Sequence, residues 1–103
     1  MQKNKLLSML GIAKRAGALS MGHDAAVNSL FSKKAEAIVV ACDVSQRAER
    51  DMRILAEKHG SGVCVFRADI TMEEIFLACG YKAGILAVCN PEFSKKIISL
   101  INE

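Results

Sequence analysis

The chain has 103 residues, 51% of them hydrophobic, which suits one packed domain and excludes both a two-domain chain and a disordered one. Aromatic residues make up only 5%, with no Trp, so the core must be aliphatic, built from Leu, Ile, Val, Ala and Met. A formal net charge of +3 is by itself too small to imply a nucleic-acid partner.

Residues 3–16 place Leu6, Leu7, Met9, Leu10 and Ala13 at helical spacing, with Gly17 just past the end. Ala18–Met21 is a short apolar run compatible with a strand. A second helix is predicted over residues 23–33, burying Ala26, Val27, Leu30 and Phe31. Ala37–Cys42 is continuous, apolar and rich in β-branched residues, the pattern of a central strand covered on both faces. Ser45 is placed to cap a third helix through Lys58, with Ala48, Met52, Leu55 and Ala56 inward and Gly60 as its stop. Glu49 and Arg53 form a solvated i,i+4 pair on that helix.

Val63–Phe66 reads as the next strand. Thr71 and Glu74 have the spacing of a capping box for a helix that runs to Cys79 and stops at Gly80. Ile85–Cys89 is another β run. Asn90-Pro91 opens a last helix that buries Phe93, Ile97, Ile98 and Ile101. Helices and strands alternate throughout, which predicts an α/β fold: one three-layer α/β/α sandwich with a mainly parallel or mixed sheet of about four strands. A single domain is expected over residues 1–103.

The charge is unevenly placed. Residues 1–34 hold six basic side chains against Asp24 alone, whereas residues 35–103 hold eight against ten acidic ones. Solvated lysines on surface helices account for such a bias as readily as an anionic partner does. Cys42, Cys64, Cys79 and Cys89 have no C-x-x-C spacing, so no zinc site is expected. They read as small buried thiols of a reducing, cytoplasmic compartment. Met1–Lys5 runs into an amphipathic pattern unlike a signal peptide. No apolar run approaches the roughly 20 residues that span a bilayer.

Catalytic patterns are weak. His23 and Asp24 are adjacent, so on a helix they point about 100° apart and are not expected to form a relay. His59 at a helix end is explained by the helix dipole. No G-x-S-x-G, G-x-G-x-x-G or P-loop is present, and no enzyme, cofactor or small-molecule substrate is expected.

Two glycine-bounded corners carry more information. At Gly22 a helix start leaves backbone N–H groups free to face an anion or a base edge, while Asp24 also serves simply as a dipole-complementing residue after a tight turn. At Gly80-Tyr81-Lys82-Ala83-Gly84, the only tyrosine stands beside a lysine, which suits base stacking and phosphate contact, or equally a loop with one partly buried ring.

Longer motifs link these corners. Leu10-Gly11-Ile12-Ala13-Lys14-Arg15-Ala16-Gly17, the ungapped stretch from Gly22 to Ala35-x-Ala37-Ile38-Val39-Val40-Ala41-x-Asp43, and Ala78-Cys79-Gly80 together resemble the kink-turn-binding ribosomal protein superfamily (L-seven-Ae and L-thirty-e), particularly its small bacterial YlxQ-type members. The resemblance covers nearly the whole chain. It implies an α/β/α sandwich that binds structured RNA, ribosomal RNA included, through the helix beginning at Gly22 and the loop after Gly80. In that family the RNA is a sharply bent helix–bulge–helix with sheared G·A pairs.

By this resemblance Gly22 permits close approach, His23, Asp24 and Asn28 face the RNA, and Tyr81, Lys82 and Ala83 form the second wall. Lys14, Arg15, Lys33 and Lys34 would add phosphate contacts, which position without specifying. The archaeal pattern G-x-N-E-x-x-K falls on Gly22, Asp24, Ala25 and Asn28, so an acceptor and a lysine are missing. A typical [ST]-K-x-x-L-G becomes Thr71-Met72-Glu73-Glu74-Ile75-Phe76, which lacks another lysine. The leading reading is a non-enzymatic RNA-binding protein. The alternative is a protein-interaction module on the same fold that has lost specific RNA recognition, a reading favoured by Ala25, Asn28, Met72 and Phe76.

Overall fold

The computed structural model describes residues 1–60 and 62–103. Its elements follow in the order α1 (Lys3–Arg15), β1 (Leu19–Met21), α2 (His23–Phe31), β2 (Ala37–Val40), α3 (Gln46–His59), β3 (Cys64–Arg67), α4 (Met72–Cys79), β4 (Ile85–Val88) and α5 (Pro91–Asn102). The strands form one mixed sheet in the order β1-β4-β2-β3. β4 is antiparallel to both neighbours, and β2 runs parallel to β3.

The alternation of side chains along β2 divides the core. Ala37 and Val39 join Leu6, Leu10, Ile75, Leu86 and Ile97 under α1, α4 and α5. Ile38 and Val40 join Ala26, Leu30, Met52 and Ala56 under α2 and α3. All four β2 residues are fully buried, as are Leu86, Ala87 and Val88 of β4. Two covered faces explain why these strands read as unbroken apolar runs. β3 is an edge strand: Val65 is buried, while Cys64 and Arg67 are exposed.

Local chemistry sets the helix ends. The Ala48 N–H donates to Ser45 Oγ at 3.1 Å. Thr71 and Glu74 form the reciprocal capping box. Asn90 Oδ1 accepts from the Glu92 and Phe93 amides at 2.9 and 3.1 Å, with Pro91 at the first helical position. Gly80 closes α4 in the left-handed conformation, whereas Gly60 closes α3 with an ordinary negative φ.

Several expectations need correction. α2 ends at Phe31, not at residue 33, and Phe31 is 54% exposed, its ring tilted against His59 at 4.6 Å between centroids. The third strand begins at Cys64, not Val63, and extends to Arg67, because its pairing with β2 matches Cys64 to Ala37 and Arg67 to Val40. β4 stops at Val88. None of the cysteines is fully buried: Cys42, Cys79 and Cys89 are half-buried and Cys64 is exposed on the edge strand. Among the described residues, no helix is long and apolar enough to cross a membrane.

Candidate nucleic-acid interface

The two glycine corners meet through the sheet. Met21 at the end of β1 pairs with Leu86 near the start of β4. One residue on, the Gly22 N–H donates to the Ile85 carbonyl at 2.8 Å. The first turn of α2 therefore starts beside the residue that closes the Gly80–Gly84 loop. Across β4, the Ala41 N–H donates to the Gly84 carbonyl at 2.8 Å, which brings residues 41–45 to the same end of the sheet.

Gly22 takes φ 98° and ψ 163°, a region open almost only to glycine. A Cβ placed there would meet nothing within 4 Å, so the space before the helix is open. No side chain caps this end of α2. Its first-turn amides are left to solvent or a ligand, at the positive end of the dipole. His23, Asp24 and Asn28 are all exposed, and Asp24 and Asn28 share one face at i,i+4 spacing. Ala25 is half-buried.

One expectation fails here: His23 Nδ1 lies 3.2 Å from Asp24 Oδ1, so the adjacent side chains do meet. At the first turn of a helix both are free to swing outward over the N-terminus. Asp24 nevertheless remains fully solvent-exposed.

In the second corner Tyr81 is 53% exposed and Lys82 is exposed. Ala83 is only 7% exposed and packs in the core cluster under α1, α4 and α5. It therefore presents no apolar surface to cover a nucleotide, contrary to expectation. Gly84 lies close under its neighbours: an added Cβ would sit 2.9 Å from Met72 Sδ and against the Val44 side chain.

That close fit is braced from two sides. Asp43 Oδ1 accepts from the Met72 N–H at 3.1 Å, tying the loop after β2 to the start of α4. Arg67 donates to the carbonyls of Cys42 and Val44, the latter at 3.0 Å, and to the Glu49 carboxylate. Arg67, with Arg53 behind it, holds the Glu49 carboxyl below its ordinary pKa. In the sequence Asp43 stands only as the end of a strand motif, and nothing local marks Arg67. An Asp just beyond a buried strand, ahead of a helix start with no lysine, was the available signal.

The Ribosomal protein L7Ae/L30e/S12e/Gadd45 family model matches residues 4–98. The chain belongs to this family. The fold is similar to that of a protein of unknown function from Bacillus halodurans C, with a TM-score of 0.86 at 22% identity over 96% of this chain and 98% of that one. It is also similar to the Giardia lamblia 15.5kD RNA binding protein, with a TM-score of 0.73 at 16% identity over 98% of this chain and 85% of that one. Among curated proteins none matches the chain significantly.

In this family member the basic residues fall into separate groups. Lys14 is half-buried and Arg15 exposed at the end of α1. Burial raises the Cys79 thiol pKa, and the positive charges of Lys14 and Arg15 oppose that shift, which places both near the α4 end that leads into Gly80. Lys33 and Lys34 follow the far end of α2, about 13 Å of helix from Gly22. There Lys33 Nζ donates to the His59 carbonyl. The structure thus sets the Gly22 turn, with His23, Asp24 and Asn28 on the helix it opens, next to Ile85, the first residue after the Gly80–Gly84 loop, and leaves Lys33 and Lys34 beyond the far end of α2.

The missing lysine at Met72 also has a local explanation. The Met72 amide is taken by Asp43, its sulfur packs at Gly84, and Glu74 pairs with Lys3 at 2.7 Å. This segment is occupied by capping and packing. Among the described residues, no three His, Cys, Asp or Glu side chains cluster as a metal site would.

Proposed function

We propose that this protein binds structured RNA, without catalysing a reaction on it, by setting the open N-terminus of α2 and the exposed Tyr81–Lys82 loop on either side of a bent RNA. The observation that carries the reading is the Gly22–Ile85 hydrogen bond, which joins the two corners at one end of the sheet. Family membership supports it, as does the shared fold of a protein described as RNA-binding.

Each corner suits a different part of the ligand. Free amides at the helix start suit a phosphate or a base acceptor. Asp24 accepts protons from a guanine N1/N2 edge. Tyr81 offers a stacking face, and Lys82 a phosphate contact. Ala25 forms no hydrogen bond through its side chain, and Asn28 carries no charge. Each such loss costs on the order of 1.5–3 kcal/mol against a charge-assisted contact. Recognition therefore rests more on the shape of a kink-turn-like RNA than on base edges, and ribosomal RNA in the cytoplasm is the natural source of such shapes.

The test is titration of a kink-turn RNA and a straight duplex of equal length at two salt concentrations. The reading requires tighter binding of the kinked RNA at both salts and loss of that preference in Asp24→Ala. Equal affinity for the two RNAs, unchanged in the variant, overturns it.

A further inference from the structure

The face of the molecule formed by α1 and α5 has no part in the corner described above. These helices pack antiparallel: the Gln2 N–H donates to the Leu100 carbonyl at one end, and the Cys89 N–H donates to the Ala18 carbonyl at the other. Two adjoining shallow hollows of about 390 and 350 Å³, wide open to solvent, run along their outer seam. Both share Met9 and Leu100 as an apolar floor, and Ile12, 45% exposed, extends it. Lys5 stands on one rim, with Lys95 and Lys96 on the other. No acidic side chain lines either hollow, and among the described residues none of these three lysines makes an ion pair.

We infer that this groove docks an acidic amphipathic helix of a partner protein. An apolar floor with unpaired cations on both rims is complementary to an apolar stripe flanked by carboxylates, the helix-in-groove mode of recognition. A flexible methionine floor adapts to such stripes. The seam from Asn4 to Ile12 is about 12 Å long, which accommodates two turns and anchors at i, i+3 or i+4, and i+7.

Other occupants fit less well. Single-stranded RNA would want stacking rings, and no aromatic residue lines either hollow. A second copy docking face to face would set lysines against lysines. A bilayer takes several apolar side chains that protrude, whereas here Ile12 alone does so and Met9 and Leu100 are half-buried between the helices. The inference is independent of the RNA reading, since the groove and the Gly22 corner share no residue.

Methyl NMR on the full chain tests it. The probe is a peptide of roughly 16 residues with Leu at the anchor spacing and Glu on both flanks, compared with the same peptide carrying Lys in place of Glu. The acidic peptide should shift the methyls of Met9, Ile12 and Leu100. The Lys95→Glu/Lys96→Glu variant, folded with an unchanged melting temperature, should bind it about tenfold more weakly and should prefer the basic peptide. Equal binding of the two peptides, or shifts confined to other methyls, overturns the proposal. So does displacement of the peptide from these methyls by duplex RNA or anionic vesicles, or their burial in a dimer of the peptide-free protein.

Discussion

The Gly22 amide and the Ile85 carbonyl are 2.8 Å apart, and this single bond fixes the start of α2 beside the end of the Gly80–Gly84 loop. It is the first hydrogen bond beyond the β1–β4 ladder, so the strand register sets it as much as the glycine does. The site is therefore a product of sheet topology, with its loops held in place from beneath.

Gly22 should be intolerant of any side chain for a conformational reason alone. Its backbone region costs a non-glycine residue on the order of 1–3 kcal/mol, while the space around it is open. Gly22→Ala should lower stability by that amount in urea titrations. It should also weaken RNA binding further than the stability loss explains, because α2 starts at a different angle. Unchanged stability would show that the turn relaxes without cost.

Gly84 makes the opposite demand, for room. Gly84→Ala places a methyl against Met72 Sδ and Val44, so overpacking of about 1–3 kcal/mol is expected. Met72→Ala in the same chain should recover part of that loss by opening space. The check is a double-mutant cycle by thermal unfolding, in which purely additive losses would refute the contact.

Much of the fold was legible because its signals are local. Ala37–Val40 declares a doubly covered strand, and Ser45, Thr71, Glu74 and Asn90 announce their caps within three residues. Features that join distant segments were not legible. Nothing near Phe31 shows that His59 will meet its ring, and nothing near Ala83 shows that it turns into the core. The cluster of Ser20, Ser29 and Cys89, with Ser29 Oγ donating to Ser20 Oγ at 2.7 Å, joins β1, α2 and the residue just after β4 and satisfies a buried hydroxyl that the apolar pattern ignores. The separation of Lys33 and Lys34 from Gly22 was legible, since nine helical residues cannot fold back on themselves.

Asn28 is exposed in mid-helix, so changing it should leave stability within about 0.5 kcal/mol, whereas Asp24→Ala should cost about 0.3–1 kcal/mol as its charge at the α2 N-terminus is lost. The effect of Asn28 should appear in binding alone. Asn28→Lys should tighten kink-turn and duplex RNA alike and steepen the dependence of log K on log salt by about one unit, the mark of an added phosphate contact. An unchanged salt slope would place Asn28 away from the RNA.

Acid should weaken the brace behind the loops. Arg67 first and Arg53 second lower the Glu49 carboxyl pKa from its ordinary 4.5. A carboxyl depressed in the fold contributes stability above its unfolded value and loses it as pH falls through its folded value. Glu74 behaves in the same direction through Lys3, while Lys3, raised from 10.5, contributes below that value and loses its share as pH rises past its folded value. Urea midpoints should hold steady from neutral pH to about 5 and fall below 4.5. Glu49→Gln should lower the unfolding free energy at neutral pH by roughly 0.2–1 kcal/mol and flatten the acid limb. An acid limb unchanged in the variant would show that Glu49 is not responsible.

The most direct measurement is the footprint of a kink-turn RNA on the amide spectrum of the full chain. Shifts should concentrate at Gly22, His23, Asp24, Asn28, Tyr81 and Lys82, with Lys95 and Lys96 silent. A footprint centred on Lys33 and Lys34, or on the α1–α5 seam, with the Gly22 corner unmoved, would contradict the assignment of that corner as the RNA-binding surface.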